Sequence, residues 1–305
     1  MTAPVLTSAG APDSRRPRLT GRRTVTRSRR WRNNAAGAGA TILLALALAP
    51  LFALIGFTAR RGLHVLSPSF LSHSMALIPT RSPGGGVYHA MIGTLEQVLL
   101  ATLMAVPLGL LVAVFLAEQP TNVLTAPVRF LTDVMTGVPS IVTGLFVFSF
   151  WVVGLHRGFS GFAGAMALSI LMLPVIVRTG EEMLRLVPMD LREASYALGL
   201  QRWRTVWSIV LPAARSGVTT GILLAIARVT GETAPLLLTV GNNAFINTDP
   251  FHGQQASLPV FVFAQTGRSL DVAVQRAWGG ALVLIAFVVV LYLTARLLTR
   301  GAPRG

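Results

Sequence analysis

The strongest constraint on the fold of this chain is a series of apolar runs, each long enough or nearly long enough to cross a membrane. A helix needs about 20 apolar residues to span the hydrocarbon core, and it satisfies its own backbone hydrogen bonds there. We therefore predict an all-α polytopic membrane protein with six transmembrane helices. The predicted spans are residues 35–59, 92–116, 136–153, 162–177, 217–240 and 278–298.

Composition supports the membrane class and excludes several kinds of chemistry. Charged residues make up 12% of the chain, about half the fraction in an average soluble protein. All 26 basic residues are Arg, so the chain lacks the phosphate-contacting Lys of a P-loop ATPase and the amine needed for a Schiff base. It also contains no Cys, which excludes disulfides, thiolate nucleophiles and Cys-ligated metals.

The distribution of Arg predicts the topology. Residues 1–34 are polar and contain nine Arg, and we expect a disordered basic tail. Adjacent Arg residues before an apolar run can also mark a twin-arginine export signal, but the run at 35–59 is too long for a signal-peptide core. Segments on the tail's side of the spans hold 19 Arg, the opposite loops hold six, and one lies within a span. Because cytoplasmic segments are rich in Arg, both termini are expected in the cytoplasm.

A polar, amphipathic segment at 190–212 separates the fourth and fifth predicted spans. Asp190 and Glu193 have the spacing of a capping box, which predicts a helix from Asp190 to a stop at Gly199. A second helix is expected to end before Pro212. The exposed face should carry the basic side chains Arg192, Arg202 and Arg204. Another face should carry the two indoles, Trp203 and Trp207. Such a pair of helices could rest on lipid headgroups or contact another protein.

The spacing in this segment resembles the EAA motif of binding-protein-dependent ABC importer permeases. The matching residues are Glu193, Ala194, Ser195, Gly199, Ile209, Leu211 and Pro212. Only Ser195 departs from the family's usual Ala. The resemblance implies a type I ABC importer permease fold, with a cytoplasmic coupling-helix loop between helices 4 and 5. It also implies that this chain is not an enzyme and binds no cofactor, because ATP and Mg bind the partner ATPase subunit.

Two opposite charges lie within the fifth predicted span. Arg228 falls near its middle, where a charge costs about 2.5 to 3.5 kcal/mol on the insertion scale and should face the bundle interior or a wet cavity. Glu232 is one helical turn further on. The two could form a structural ion pair that fixes helix packing, or they could bind an anion. Gly231 and Pro235 favour a ligand site, because they weaken the helix beside these charges.

Three further stretches resemble the phosphate importer permeases of the PstA type. They are "GETAPLLLT" at 231–239, "GVPSIVTGLF" at 137–146 and "GGVYHAMIGTL" at 85–95. This resemblance implies that Arg228 and Glu232 belong to a pathway for inorganic phosphate. It also implies that Gly137, Pro139 and Ser140 break the third span near that pathway, although a plain helix kink would give the same residues.

The resemblance also implies an assembly in the bacterial cytoplasmic (inner) membrane, with residues 35–300 as the transmembrane domain. The expected partners are a related permease subunit (PstC-like), a cytoplasmic ATP-binding subunit dimer (PstB-like) and an extracytoplasmic phosphate-binding protein (PstS-like). Contact with membrane lipid is expected, and contact with nucleic acid is not.

Other functions remain open at this stage. The chain could serve molybdate or sulfate, or be the paired phosphate permease of the same system. A membrane-embedded enzyme would need acidic residues and His clustered at one membrane depth. If the chain were a channel or structural subunit, its match to the EAA motif would be a coincidence. We interpret the five His residues as ordinary loop residues without metal-ligand spacing, and Glu96 and Gln97 as interfacial or helix-packing groups. The His residues are His64, His73, His89, His156 and His252.

Overall fold

The computed structural model of the chain describes residues 27–268 and 270–300. Over these ranges the chain forms helices and no strands, which confirms the predicted all-α class. The helices are α1 (Arg27–Gly62), α2 (Pro68–Ser72), α3 (Tyr88–Glu118), α4 (Thr125–Gly137), α5 (Ser140–Val147), α6 (Gly161–Arg185), α7 (Met189–Ala197), α8 (Arg202–Thr205), α9 (Leu211–Thr230), α10 (Ala234–Thr239), α11 (Leu258–Thr266) and α12 (Asp271–Arg300). π-Helical turns extend α5 over Phe148–Gly154 and join α8 to α9 over Val206–Val210.

Within the described ranges, five helical segments are long and apolar enough to span a membrane, and a bent pair of helices is a candidate sixth span. The five lie in α1, α3, α6, α8 to α9, and α12, and the bent pair is α4 with α5. The chain is therefore a multi-pass membrane protein. Because α1 begins at Arg27, residues 27–34 of the predicted tail are helical, whereas residues 1–26 lie outside the described part.

Helices α3 and α6 form the centre of the bundle. Ala101 and Ala105 of α3 share a buried apolar cluster with Met172 of α6. Gly109 approaches Ile176 so closely that a Cβ at this position would lie 2.7 Å from the Ile176 Cγ2 atom. Small residues let membrane helices approach each other and gain van der Waals contact. The sequence of α3 thus brings α6 close along its length.

The third span is broken at residues 137–140, as the family resemblance implied, and it is not the continuous span predicted at 136–153. Helix α4 ends at Gly137, α5 begins at Ser140, and the two are bent by 103°. Pro139 lacks a backbone N–H and disfavours helical geometry at Val138, whose ψ is 125°. The break therefore separates two helical arms, where the apolar run alone predicted one span at 136–153.

The fifth span is also displaced from the predicted 217–240. Its helix runs from Arg202 to Thr230, and Gly231 caps its end. After a short interruption, α10 continues from Ala234, with Pro235 in its first turn. Proline fits the first turn of a helix because the first N–H groups have no partner there. Gly231 and Pro235 thus flank a break in the helix, as predicted.

Buried polar contacts hold the end of the bundle at which α3 begins. Gln97 is buried and donates to Gln255 Oε1 at 2.8 Å, and Gln255 donates to Glu96 Oε2 at 2.5 Å. Arg276 is also buried and donates to backbone oxygens of the turn at residues 80–84. Glu96 and Gln97 are therefore packing groups, as predicted, and they tie the 241–257 loop to α3.

The chain divides into two compact units between Leu54 and Ile55. In the first unit, the side chains of α1 are exposed and apolar, for example Leu43 at 69%. In the second unit, Phe57 at the end of α1 meets the edge of Trp278, with ring centroids 5.2 Å apart. An apolar, exposed helix surface of this kind suits contact with lipid or another membrane helix.

Candidate coupling loop and translocation pathway

The first helix of the segment with the EAA pattern does not use the predicted capping box. Helix α7 begins at Met189 with Pro188 as its N-cap, and no side chain bonds its first N–H groups. Pro188 has φ −54° and ψ 142°, an extended conformation, so the N-cap lies two residues before Asp190 and the helix starts one residue before it. Asp190 instead lies in the first turn, where its negative charge is favourable next to the positive end of the helix dipole.

The end of α7 is a Schellman motif, and here the sequence prediction agrees with the structure. Gly199 has φ +81°, a left-handed conformation that residues with a Cβ rarely adopt. Its N–H bonds the Tyr196 oxygen at 2.9 Å, and the N–H of Leu200 bonds the Ser195 oxygen at 3.2 Å. These two bonds satisfy carbonyls at the helix end and turn the chain sharply toward α8.

Ser195, the one departure from the EAA pattern, has a specific partner. Its hydroxyl lies 2.7 Å from that of Thr205, and both side chains are almost fully buried. Thr205 Oγ1 is also 3.3 Å from the Gln201 backbone oxygen, to which it can donate. The bond between the two hydroxyls joins α7 to α8, and Thr205 satisfies the polar group that Ser adds where the family usually has Ala.

The second helix of the segment does not end before Pro212, contrary to the prediction. It passes from α8 through the π-helical turns at Val206–Val210 directly into α9, with Pro212 as the second residue of α9. The N–H of Leu211 bonds the Val206 oxygen five residues earlier, so the π-helical register extends to the residue before Pro212. A single helix therefore connects the loop to the fifth span, and the loop is not a separate pair of short helices.

Arg192 is buried and does not share an exposed face with the other Arg residues, which corrects the sequence interpretation. Its guanidinium forms an ion pair with Glu118 at the end of α3 and donates to the Leu184 backbone oxygen at 2.9 Å. The side chains of Arg192 and Glu118 are 8% and 16% exposed. Three helices, α3, α6 and α7, thus meet at this guanidinium. Sequence reasoning missed this role.

The EAA-like residues that point away from the bundle form one accessible surface. Glu193, Ala194 and Gly199 are exposed, and Leu198 beside them is 81% exposed. Ile209 and Leu211 are half-buried and Pro212 is exposed, so these three lie where the helix leaves the loop. Trp203 and Trp207 are both more than half exposed. The surface has an apolar tip beside a carboxylate, which suits contact with another protein.

A second ionic cluster joins α4 to α6 near the same end of the bundle. Glu181 is buried and accepts from Arg129 of α4 at 2.7 Å and from Arg185 at 2.8 Å. Nearby, Arg178 pairs with Asp133 at 3.2 Å, but both side chains are nearly half exposed. The ion pair between Arg129 and the buried Glu181 carboxylate therefore links α4 to α6.

Arg228 and Glu232 lie beside the break after α9. Arg228 Nε is 4.0 Å from Glu232 Oε1, at the outer limit of an ion pair. The Arg228 side chain is 55% exposed and that of Glu232 is 21% exposed. Within the described residues, Arg228 has no closer acidic partner. A guanidinium in this position keeps most of its five N–H donors available for an oxyanion.

The two breaks in the helices are connected by a close contact that sequence reasoning missed. A Cβ on Gly144 of α5 would lie 2.5 Å from the Pro235 Cα atom of α10. By contrast, a Cβ on Gly137 would meet nothing within 4 Å. Gly137 and Pro139 are exposed and Ser140 is half-buried, so all three line the bend without packing tightly. Gly144 lies in the "GVPSIVTGLF" stretch, and the glycine itself is the only sequence signal.

The histidines show one difference from the predicted loop residues. His89 is buried in the first turn of α3, with its ring 5.7 Å from the ring of Phe261. In the described ranges, no three His, Asp or Glu side chains are grouped so as to hold a metal.

Asp249 lies in the 241–257 loop. Its carboxylate accepts a hydrogen bond from the Phe251 N–H and contacts the His252 ring, and both contacts hold the pKa of Asp249 below its usual value.

The chain belongs to the family of binding-protein-dependent transport system inner membrane components, which it matches over residues 105–302. It is 46% identical over 283 residues to the phosphate transport system permease protein PstA 1 of Mycobacterium tuberculosis (strain CDC 1551 / Oshkosh), covering 92% of this chain and 93% of that protein. The PstA protein of Mycobacterium leprae is 43% identical, covering 87% and 88%. That of Yersinia pestis is 39% identical, covering 90% and 95%. These relatives are transport permeases and not enzymes, as expected.

The fold resembles that of solved ABC importers. A chain of the MetNI methionine ABC transporter, in an inward-facing conformation, superposes with a TM-score of 0.56 at 18% identity. The match covers 72% of this chain and 95% of the MetNI chain. At this identity the similarity concerns the fold alone, and it confirms the type I importer permease fold expected from the EAA pattern.

Proposed function

We propose that this chain is a membrane-spanning subunit of an ATP-driven importer, and that it carries inorganic phosphate across the cytoplasmic membrane by alternating access. The observation that carries the proposal is Arg228, a half-exposed guanidinium beside the helix break at the end of a candidate membrane span. Paired N–H donors of Arg suit a tetrahedral oxyanion. The phosphate permeases among the relatives make phosphate the first oxyanion to consider.

Glu232 gives the site a second role in this proposal. With the site empty, it holds Arg228 loosely at 4.0 Å. An incoming phosphate would take over the guanidinium, and the carboxylate would disfavour anions placed closer to it by charge repulsion. The bend at Gly137, Pro139 and Ser140 would leave backbone groups of α5 facing the same pathway, because a break frees them from helical hydrogen bonds.

The EAA-like loop would receive the motion that drives transport. Glu193, Ala194, Ser195, Gly199, Ile209, Leu211 and Pro212 would form or support the contact with an ATPase. Because the helix is continuous from Arg202 to Thr230, a push on the loop would reach the break beside Arg228 without an intervening hinge. ATP and Mg would be bound by a PstB-like dimer, and this chain would pair with a PstC-like permease and receive phosphate from a PstS-like protein.

The proposed orientation in the membrane rests on the distribution of Arg along the chain. Most of the Arg residues lie on the side of the EAA-like loop, and because cytoplasmic segments are rich in Arg, this distribution supports a cytoplasmic position for the loop and for both termini. The 63–87 and 241–257 loops would then face the phosphate-binding protein. The exposed apolar surface of α1 suits lipid or the paired permease.

Uptake of radioactive phosphate by the assembled transporter in proteoliposomes tests the role of Arg228. We expect Arg228→Gln to lower uptake about tenfold or more, because hydrogen bonds to charged groups contribute about 1.5 to 3 kcal/mol, while ATP hydrolysis persists. Arg228→Lys should retain part of the uptake, since it keeps the charge. Arg157→Gln, at an exposed position outside the helices, is the matched control and should transport normally.

Competition assays separate phosphate from other oxyanions. Excess sulfate or molybdate should not reduce uptake by the unmodified transporter. Normal phosphate uptake by Arg228→Gln would remove this residue from the pathway. Strong competition by sulfate or molybdate would show that the chain serves another oxyanion.

A further inference from the structure

A large cavity lies beside the EAA-like loop, away from the proposed phosphate pathway. It has a volume of about 900 Å³ and opens between the end of α3, the turn at 119–121, the end of α6, and helices α7 and α8. Two different kinds of side chain line it. They are guanidinium groups and apolar side chains of α3.

The polar lining of the cavity has an excess of positive charge. Arg185, Arg192 and Arg202 line it, and Glu118 is its one acidic lining residue. The Glu118 carboxylate is already paired with Arg192. Arg185 is 48% exposed in its side chain and bonds Glu181 through one nitrogen, which leaves other N–H donors free. Arg202 is exposed at the start of α8. Two guanidinium groups can therefore bind an anion here.

The apolar lining of the cavity continues into the membrane span of α3. Leu111, Val114 and Phe115 line it and precede Glu118 by up to two helical turns. At 1.5 Å per residue, this wall extends about 10 Å along α3 from Glu118 toward the middle of the span. A small inorganic anion would gain nothing from such a wall, whereas a hydrocarbon chain would bury apolar surface on it.

Trp203 is a lining residue of a type that suits a membrane interface. Trp203 lines the cavity, is 58% exposed, and donates its indole N–H to Gln201 at 2.7 Å. Indole side chains favour the headgroup level of a membrane, where one side is apolar and the other is hydrated. In the orientation proposed above, the cavity would combine basic groups near the lipid headgroups with an apolar wall along α3.

We propose that this cavity binds one anionic phospholipid. Its phosphate would lie between Arg185 and Arg202, and an acyl chain would lie along Leu111, Val114 and Phe115. Basic pockets between membrane helices on the cytoplasmic side are suited to anionic lipids, so the inference rests on the orientation proposed above. Arg202 begins the helix that continues to Thr230, and a bound lipid would therefore help to fix the position of the coupling loop.

Native mass spectrometry of the assembled transporter, purified in mild detergent and titrated with phosphatidylglycerol, tests the proposal without requiring transport. We expect Arg202→Gln or Arg185→Gln to weaken phosphatidylglycerol binding about fivefold each, as is usual for one basic group near an anionic surface. Arg202→Lys should bind nearly as well as the unmodified chain. Arg178→Gln is the matched control, because Arg178 lies on α6 like Arg185 and is equally exposed, at 49% against 48%, but is not among the residues that line the cavity.

Two further titrations identify the ligand. Phosphatidylcholine should bind more weakly than phosphatidylglycerol, and inorganic phosphate at millimolar concentration should not displace the lipid. Equal binding by Arg202→Gln, Arg185→Gln and Arg178→Gln would overturn the proposal, as would displacement by inorganic phosphate or the absence of lipid from the assembled transporter. If Arg228→Gln imports phosphate normally, the proposed role of Arg228 is wrong, but the lipid-binding results do not change. The two proposals can therefore fail separately.

Discussion

The helix that runs from Arg202 to Thr230 is held in opposite ways at its two ends. At its first end, the buried Ser195 to Thr205 bond ties it to α7. Helix α7 is in turn fixed by the buried pair of Arg192 and Glu118. At its other end, the one acidic partner of Arg228 among the described residues is Glu232, at 4.0 Å. The loop end is therefore built for rigid contact, and the pathway end keeps its charge available.

This difference follows from solvation. A buried guanidinium must be fully paired, because an uncompensated charge in a low-dielectric interior is strongly unfavourable. A half-exposed guanidinium can remain loosely paired, since water or a ligand supplies the missing hydrogen bonds. The loop end is thus rigid because its charges are buried and paired. The Arg228 guanidinium at the pathway end remains available to a ligand because it is exposed.

The largest expected effect is the loss of the buried pair at the loop end. Arg192→Met removes one partner and leaves the Glu118 carboxylate partly buried without its guanidinium. We expect the free energy of unfolding to fall by about 3 kcal/mol, the usual cost of breaking a buried pair. Thermal unfolding of the purified chain in detergent measures this change.

The exposed pair of Arg178 and Asp133 provides the control for that measurement. Arg178→Met removes the same type of side chain from a pair in which both partners are nearly half exposed, and it should cost less than about 1 kcal/mol. If both variants unfold at the same temperature, the contrast between rigid and available charges does not hold.

The second effect concerns the packing of the two helix breaks. Gly144→Ala places a methyl group against the Pro235 backbone, so α5 and α10 must move apart. Overpacking of this kind costs about 1 to 3 kcal/mol, and we expect lower stability together with reduced phosphate uptake. Gly137→Ala, at the nearby bend, adds the same methyl group in open space and should be tolerated. Equal loss of uptake in both variants would contradict a specific role for the Gly144 contact.

The helical architecture could be predicted from the sequence because it depends on local pattern. Apolar runs indicate α3, α6 and α12 directly, and the left-handed turn at Gly199 follows from the residue type. The helix interruption after Thr230 was also predictable, since Gly231 and Pro235 both weaken a helix. These features require no knowledge of which helices are neighbours.

The remaining features depend on contacts between distant residues. Arg192 finds its partner Glu118 on another helix, and no pattern around Arg192 distinguishes a buried guanidinium from an exposed one. The continuity of the helix at Pro212 depends on π-helical turns, whose formation the sequence did not indicate. The Gly144 contact likewise requires the bend at Pro139 to bring α5 against α10. Local sequence patterns therefore predict where the EAA-like loop and the helix break after Thr230 lie, but not the contacts that make the loop rigid.

A smaller effect is expected from the turn between α7 and α8. Gly199→Val forces a β-branched residue into a left-handed conformation, at a cost of about 1 to 2 kcal/mol. Gly199→Asn should be tolerated better, because Asn adopts this conformation more readily. We expect the Val variant to hydrolyse ATP without transporting phosphate, and Glu193→Lys, which reverses a charge on the exposed surface, to behave in the same way. Normal transport by Gly199→Val and Glu193→Lys would favour a loop that rests on lipid.

The smallest expected effect is at the bond between Ser195 and Thr205. Ser195→Ala restores the usual family residue but leaves the Thr205 hydroxyl with a single partner, so we expect a loss of about 1 kcal/mol. The double variant Ser195→Ala with Thr205→Val removes both hydroxyls and should recover much of this loss, because no buried polar group is then left without its partner. A double-mutant cycle of unfolding free energies isolates the pair. Purely additive losses would mean that the two hydroxyls act independently, and that the stiffness of the loop comes from Arg192 and not from this bond.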